Sequence, residues 1–85
     1  MKLTWKAMIR VTLKRAVLDP QGDAVEKALA ALNYSNVSDV RVGKYMEIHL
    51  KEADKEEACH QVEEMCKRML TNPVIEDFTY TLAEV

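Results

Sequence analysis

Trp5-Lys6-Ala7-Met8-Ile9-Arg10-Val11-Thr12-Leu13 alternates without a break. Trp5, Ala7, Ile9, Val11 and Leu13 fall on one side of an extended chain, and Lys6, Met8, Arg10, Thr12 and then Lys14 on the other. A period of two predicts a strand with one apolar face and one largely polar face. Such a strand needs a cover for its apolar face, and the rest of the sequence supplies candidates. After a break at Ala16–Gly22, Asp19 suits a helix N-cap and Pro20 a first helical position. Val25, Ala28, Leu29 and Leu32 then follow at helical spacing, so a helix is expected from Pro20 or Asp23 to Leu32, ended by Asn33.

Val37–Val42 reads as a short second strand, Gly43-Lys44 as a turn, and Tyr45–Leu50 as a third strand. In the third, Met46, Ile48 and Leu50 oppose Tyr45, Glu47 and His49. So tight a connection predicts a hairpin. Asp54 with Glu57 three residues on marks a second helix start, with Ala58, Val62, Met65, Cys66 and Met69 as its stripe and Cys59 and Leu70 at the margin. Glu63 with Lys67 and Glu64 with Arg68 are spaced for i,i+4 pairing. Thr71-Asn72-Pro73 stops that helix, and Val74–Leu82 forms the last strand, with Val74, Phe78, Tyr80 and Leu82 in phase and Glu76 interrupting. The expected class is α+β. The order β-α-β-β-α-β predicts a ferredoxin-like two-layer sandwich, an antiparallel sheet with two helices on one face. The other face, with Lys6, Met8, Arg10, Tyr45, Glu47 and His49, is then a candidate association surface.

Composition narrows function mainly by exclusion. The 85 residues make one domain, 1–85, with a small core, and small cores favour association. Twelve cations against fourteen anions leave a net charge of −2, without the basic excess of a nucleic-acid binder. The charge is uneven: Lys2, Lys6, Arg10, Lys14 and Arg15 occupy an acid-free first segment, while residues 52–64 are acidic. The first segment is expected to face the neighbours of the second. No apolar run reaches the length of a membrane span and no leader is recognisable, so a cytoplasmic chain with reduced thiols and no membrane partner is expected.

The chemistry-bearing residues do not converge. Cys59 and His60 are adjacent on a helix and Cys66 lies two turns on, which is not a zinc-ligand spacing. The cysteines follow an acidic stretch, the wrong setting for a thiolate nucleophile. With only Gly22 and Gly43 there is no phosphate-cradling loop. Gly43-Lys44-Tyr45-Met46-Glu47-Ile48 faintly resembles an RNA-recognition strand, but Glu47 and His49 stand where stacking aromatics are needed. No catalytic residue, metal site or cofactor is expected.

Four strings carry a resemblance that spans nearly the whole chain: Val11-Thr12-Leu13-Lys14, Val17-Leu18-Asp19-Pro20-Gln21-Gly22, Val40-Arg41-Val42-Gly43-Lys44, and Thr71-Asn72-Pro73-Val74-Ile75-Glu76-Asp77-Phe78-Thr79-Tyr80. Together they resemble PurS, the small subunit of phosphoribosylformylglycinamidine synthase. Phe78 stands where tyrosine is frequent in that family and Met69 where leucine is frequent; both keep volume and apolarity. The resemblance implies a non-catalytic assembly subunit of the glutamine-dependent ligase. That enzyme converts formylglycinamide ribonucleotide, ATP and glutamine to the amidine, ADP, phosphate and glutamate. It further implies a large synthetase partner (PurL-like), a glutaminase partner (PurQ-like), support of ammonia transfer between them, and a homodimer or homotetramer. On the matching strings, Asp19, Gln21, Gly22, Arg41, Lys44, Asn72 and Pro73 are the partner-contact candidates, with Gln21 favoured because Asp19, Pro20 and Gly22 have structural uses. Glu76 and Asp77 fall on opposite strand faces, so one must turn inward or toward a partner. The alternative reading is an ACT-like small-molecule-sensing regulatory domain, which uses similar β-α-β-β-α-β units.

Overall fold

The computed structural model describes residues 3–85; Lys2 of the basic first segment lies outside them. Three strands form one antiparallel sheet in the order β2-β1-β3: β1 is Leu3–Leu13, β2 is Gly43–Glu52 and β3 is Glu76–Glu84. Helix α1 spans Pro20–Ala31 and α2 spans Lys55–Met65, continued by a π-helical turn over Cys66–Leu70. The α+β class and the antiparallel sheet with two helices are as expected.

β1 is the axis of the sheet because alternation gives it one fully apolar face. Trp5, Ala7, Ile9 and Val11 are all buried. In register, Ala7 lies between Ile48 and Leu82 and Ile9 between Met46 and Tyr80, while Trp5 faces Leu50 and Val11 faces Phe78. Across that face lie Ala58, Val62 and Cys66 of the second helical segment. Ala58 sits at the first turn, where a small side chain permits close approach. Trp5 closes the far end, its indole N–H donating to the Glu52 carbonyl at 2.9 Å.

Three local expectations change. First, Val37–Val42 is not a strand, and the hairpin around Gly43-Lys44 does not form. Asp39 has a positive φ of 56°, which breaks the extended run. The Val42 N–H is taken by the Asp19 carboxylate rather than a neighbouring strand. The chain becomes a strand only at Gly43, where it pairs with Thr12 of β1. A side chain at Gly43 would meet the Val11 carbonyl oxygen at 2.2 Å, so this close entry requires glycine.

Second, α2 loses its 3.6-residue period after Met65. Thr71 returns both its N–H (3.0 Å) and its hydroxyl (2.8 Å) to the Cys66 carbonyl, closing an i→i+5 turn. The wider turn rotates Met69 outward to 80% exposure and brings Leu70 against the core instead. Lys67 and Arg68 rotate with it; Glu63 instead accepts from the Tyr80 hydroxyl at 3.0 Å, and Glu64 lies 3.9 Å from His60. Asp54 does cap α2, but Glu57 accepts from Gln61 rather than completing a capping box. Third, β3 begins at Glu76. Val74 stands in a turn closed by Asn72, which accepts from Ile75 and Glu76.

The largest departure concerns α1. Its caps are as the sequence predicts: Asp19 at the N-cap, and at the other end Asn33 at φ 74° with Asn33 N–H to Ala30 and Tyr34 N–H to Leu29. Its apolar stripe, however, is not laid on the sheet. Val25, Ala28 and Leu32 are exposed and Gly22 is its one buried residue. An 11-residue strand spans roughly 35 Å and a 12-residue helix about 18 Å. The 55 Å long axis therefore places α1 beyond the end of the sheet, not across it. The Cα radius of gyration, 16.7 Å, compares with about 12 Å for a compact chain of this length.

Cations of the basic first segment pair with acids on neighbouring strands and loops. Lys6 pairs with Glu47 at 3.3 Å, Lys14 with Asp77 at 3.0 Å, and Arg15 with Asp39. Ile9 and Val62 carry the buried apolar core. Ile9→Ala should cost about 2–5 kcal/mol and Ile9→Val about 0.5–1.5 kcal/mol, read as a graded fall in denaturation midpoint by Trp5 fluorescence. Equal effects of the two variants would contradict this packing.

Candidate partner interface

The seven sequence-predicted contact residues gather at one end of the sheet, where β1 leaves, α1 begins, β2 enters and β3 starts. They divide into two groups with different uses.

Asp19, Gly22 and Arg41 form an internal lock. Asp19 is 4% exposed. Its Oδ1 accepts from the Gly22 N–H at 2.9 Å and its Oδ2 from the Val42 N–H at 2.8 Å. One carboxylate thus caps α1 and ties it to the segment entering β2. Those two N–H groups, with the Arg41 charge beside them, hold the carboxyl below its ordinary value of 3.8 against the opposing effect of burial. Gly22 lies so near this segment that a Cβ would meet the Val40 carbonyl oxygen at 2.1 Å. The Arg41 guanidinium donates to the carbonyls of Lys14 (2.7 Å), Val17 (3.1 Å) and Leu13 (3.5 Å). Leu13 ends β1 and Lys14 and Val17 lie in the loop after it, and a single guanidinium nitrogen, Nη2, reaches all three carbonyls. Arg41 is therefore turned inward, not presented at a hairpin tip.

Gln21, Lys44, Asn72 and Pro73 remain at the surface. Gln21 and Lys44 line one shallow recess with Leu13, Val42, Gly43 and Glu76. Lys44 reaches Glu76 at 3.9 Å. Glu76, whose side chain turns partly inward, also accepts from the Asn72 N–H at 2.7 Å. Pro73 borders a neighbouring recess with Lys14, Lys67, Thr71, Asp77 and Phe78. The surface is thus a mixed-charge rim around Glu76 and Asp77, fixed by backbone bonds. Lys14 and Asp77 belong to it; Lys14 is not among the contact candidates, and Asp77 is marked only as one of the Glu76–Asp77 pair of which one must turn inward or toward a partner.

The opposite sheet face is polar and internally matched. Arg10 lies over the Tyr45 ring at 5.5 Å, and the Tyr45 hydroxyl donates to Glu47 at 2.8 Å. That bond raises the Tyr45 phenol and, with Lys6, lowers the Glu47 carboxyl.

Among the described residues, no three His, Cys, Asp or Glu side chains converge as a metal site. Burial, then the charge of Glu63, pushes the Cys66 thiol up, away from thiolate chemistry. Among the described residues, no helix is long and apolar enough to cross a membrane.

Fold and surface define a small α+β domain whose buried polar groups hold its own loops and whose remaining polar residues at this end form an exposed rim. The chain belongs to the PurS family: the family profile described as "PurS: Phosphoribosylformylglycinamidine (FGAM) synthase" matches residues 6–84. It is 47% identical over 81 residues to the phosphoribosylformylglycinamidine synthase subunit PurS of Bacillus subtilis, covering 95% of both chains. It superposes on the crystal structure of Methanocaldococcus jannaschii PurS with a TM-score of 0.83 at 37% identity, over 95% of this chain and 98% of that one. It also matches a chain in the structure of PurLQS from Thermotoga maritima, with a TM-score of 0.82 at 29% identity over 96% and 98% of the two chains. Membership decides against the sensing-domain alternative.

The lock makes two predictions. Because the folded carboxyl of Asp19 titrates below its unfolded value, its stabilisation is complete above about 4 and is lost as pH falls through the lower folded value. Asp19→Asn should remove that acid-dependent loss from the stability–pH profile measured by chemical denaturation; a profile parallel to wild type below pH 4 would contradict the lock. Gly22→Ala ordinarily gains about 0.4–1 kcal/mol in a helix, but here it should destabilise, because its Cβ must displace the Val40 carbonyl.

Proposed function

We propose that this chain is the non-catalytic assembly subunit of glutamine-dependent phosphoribosylformylglycinamidine synthase in de novo purine biosynthesis, working in the cytoplasm. It bridges a PurL-like synthetase and a PurQ-like glutaminase and supports passage of ammonia between them, as a homodimer or homotetramer. The observation that carries this reading is the full-length match to PurS, including the PurS-like chain in the PurLQS structure. The geometry supports it in a second way. Gln21, Lys44, Asn72 and Pro73 lie together on a rigid rim, and mixed polar rims suit association surfaces that must exclude wrong partners.

The rim, not the lock, is proposed to meet the partners. Gln21 has no structural duty among the described bonds and Lys44 is tied only by its 3.9 Å pair with Glu76. Lys44→Glu combined with Gln21→Ala should weaken the complex by about tenfold or more, the scale of ~1.4 kcal/mol, while leaving the thermal midpoint of the isolated chain unchanged. Unchanged affinity would remove these residues from the interface.

The role itself is tested by reconstitution with the synthetase and glutaminase subunits, following glutamine- and ammonia-dependent amidation in parallel. Glutamine-dependent turnover should require this chain, and excess ammonia should bypass it. Equal glutamine turnover without the chain would overturn the assignment.

A further inference from the structure

Three polar side chains converge on one recess without satisfying one another. The recess lies at the end of the sheet beside the first turn of α1, holds about 270 Å³, and has Gln21, Lys44 and Glu76 among its walls. Val11 and Leu13 of β1 line its base, and Gly43 brings no side chain to fill it. β1 separates the two charged residues: Lys44 is the register partner of Val11 on one side, and Glu76 that of Leu13 on the other. Their side chains reach toward each other over that apolar base and stop at 3.9 Å, Lys44 Nζ to Glu76 Oε2. That is too long for a hydrogen bond.

Glu76 is not free to close the gap. Its Oε1 accepts from the Asn72 N–H at 2.7 Å, and its own N–H donates to the Asn72 carbonyl at 2.8 Å. The side chain is only 17% exposed, yet Oε2 receives no hydrogen bond among the described residues. A carboxylate oxygen with so little access to water gains from any N–H brought to it. Across the recess the Lys44 ammonium has no acceptor within hydrogen-bond reach, and the Gln21 amide makes no described bond.

We propose that this recess binds a small zwitterion of the α-amino acid class. The ligand's ammonium donates to Glu76 Oε2, its carboxylate accepts from Lys44 and from the Gln21 amide, and its side chain lies on Val11 and Leu13. An α-amino acid carries its two charges on neighbouring groups. Set beside Lys44 and Glu76, they close a ring of four alternating charges, each flanked by its opposite. A lone anion would also meet Glu76, and a lone cation Lys44, so neither matches the walls. The volume is roughly nine waters at about 30 Å³ each, enough for a small amino acid and below the usual size of a drug-like pocket. This site goes beyond the assembly role proposed above and does not depend on it.

The test titrates the isotope-labelled full chain with L-valine, L-leucine and L-glutamine and follows its amide NMR shifts. Isovalerate and isobutylamine, which are valine without its ammonium and valine without its carboxylate, supply each charge alone. Saturable shifts are expected at the Gly43, Lys44 and Glu76 amides and at the Gln21 side chain, with valine bound about tenfold or more tighter than either single-charge probe. Glu76→Gln keeps an oxygen for the Asn72 N–H and removes the charge, and Lys44→Met keeps the stem. Each should weaken valine by about tenfold or more while leaving the thermal midpoint of the chain unchanged. Absence of saturation with all three amino acids, or equal binding of a single-charge probe, would overturn the proposal. So would variants that bind valine like the wild type. If the site fails while glutamine-dependent turnover requires the chain, the assembly role stands.

Discussion

One buried carboxylate governs the arrangement of this protein. Asp19 accepts from Gly22 and Val42 at once, so it starts a helix and sets the path into a strand with the same two oxygens. Arg41, held beside it, gathers the carbonyls of the loop that leaves β1. Buried backbone polar groups must find partners, and these two side chains supply them for a crossing that has no ladder of its own. Everything on either side depends on that crossing. β2 enters at the register that puts Ile48 over Ala7, and α1 leaves in a direction that carries it off the sheet.

The consequence is a division of labour between halves. The sheet with α2 holds the core: Ile9, Val11, Val62 and Cys66 are fully buried there. Helix α1 contributes only Gly22 to the interior. A domain this small has little stability in reserve, and leaving a helix stripe in water makes poor use of it in isolation. In an assembly subunit the same stripe is an asset, since apolar surface withheld from the intrachain core is available to another chain.

Much of this could be read from residues and some could not. β1 was legible because alternation decides which side chains face inward, and both N-caps were legible because Asp19 and Asp54 sit directly before helical periodicity. Asn33 likewise marked the end of α1. Val37–Val42 misled because its valines suit a strand, while the competing demand on the Val42 N–H comes from a carboxylate 23 residues away. Periodicity likewise put Met69 in the core. A π turn set by Thr71 substituted Leu70, and no local pattern announces such a turn. At the candidate interface the marked residues divide by use. Asp19, Gly22 and Arg41 turned out to be bound inward, whereas Gln21, singled out for having no capping duty, is on the surface with Lys44. Whether a helix stripe lies on its own sheet or on another chain's depends on chain direction after the cap, which spacing does not encode.

The most direct measurement is hydrogen exchange, resolved by residue, as a function of protein concentration. A 12-residue helix held only at its first turn is marginal in water, whereas β1 is bonded on both edges. The account predicts that amides of β1 stay protected at every concentration while those of Ala24–Ala31 are far less protected in the dilute chain. Equal protection of α1 and β1 at every concentration would mean that α1 is stabilised within its own chain, and would contradict the account.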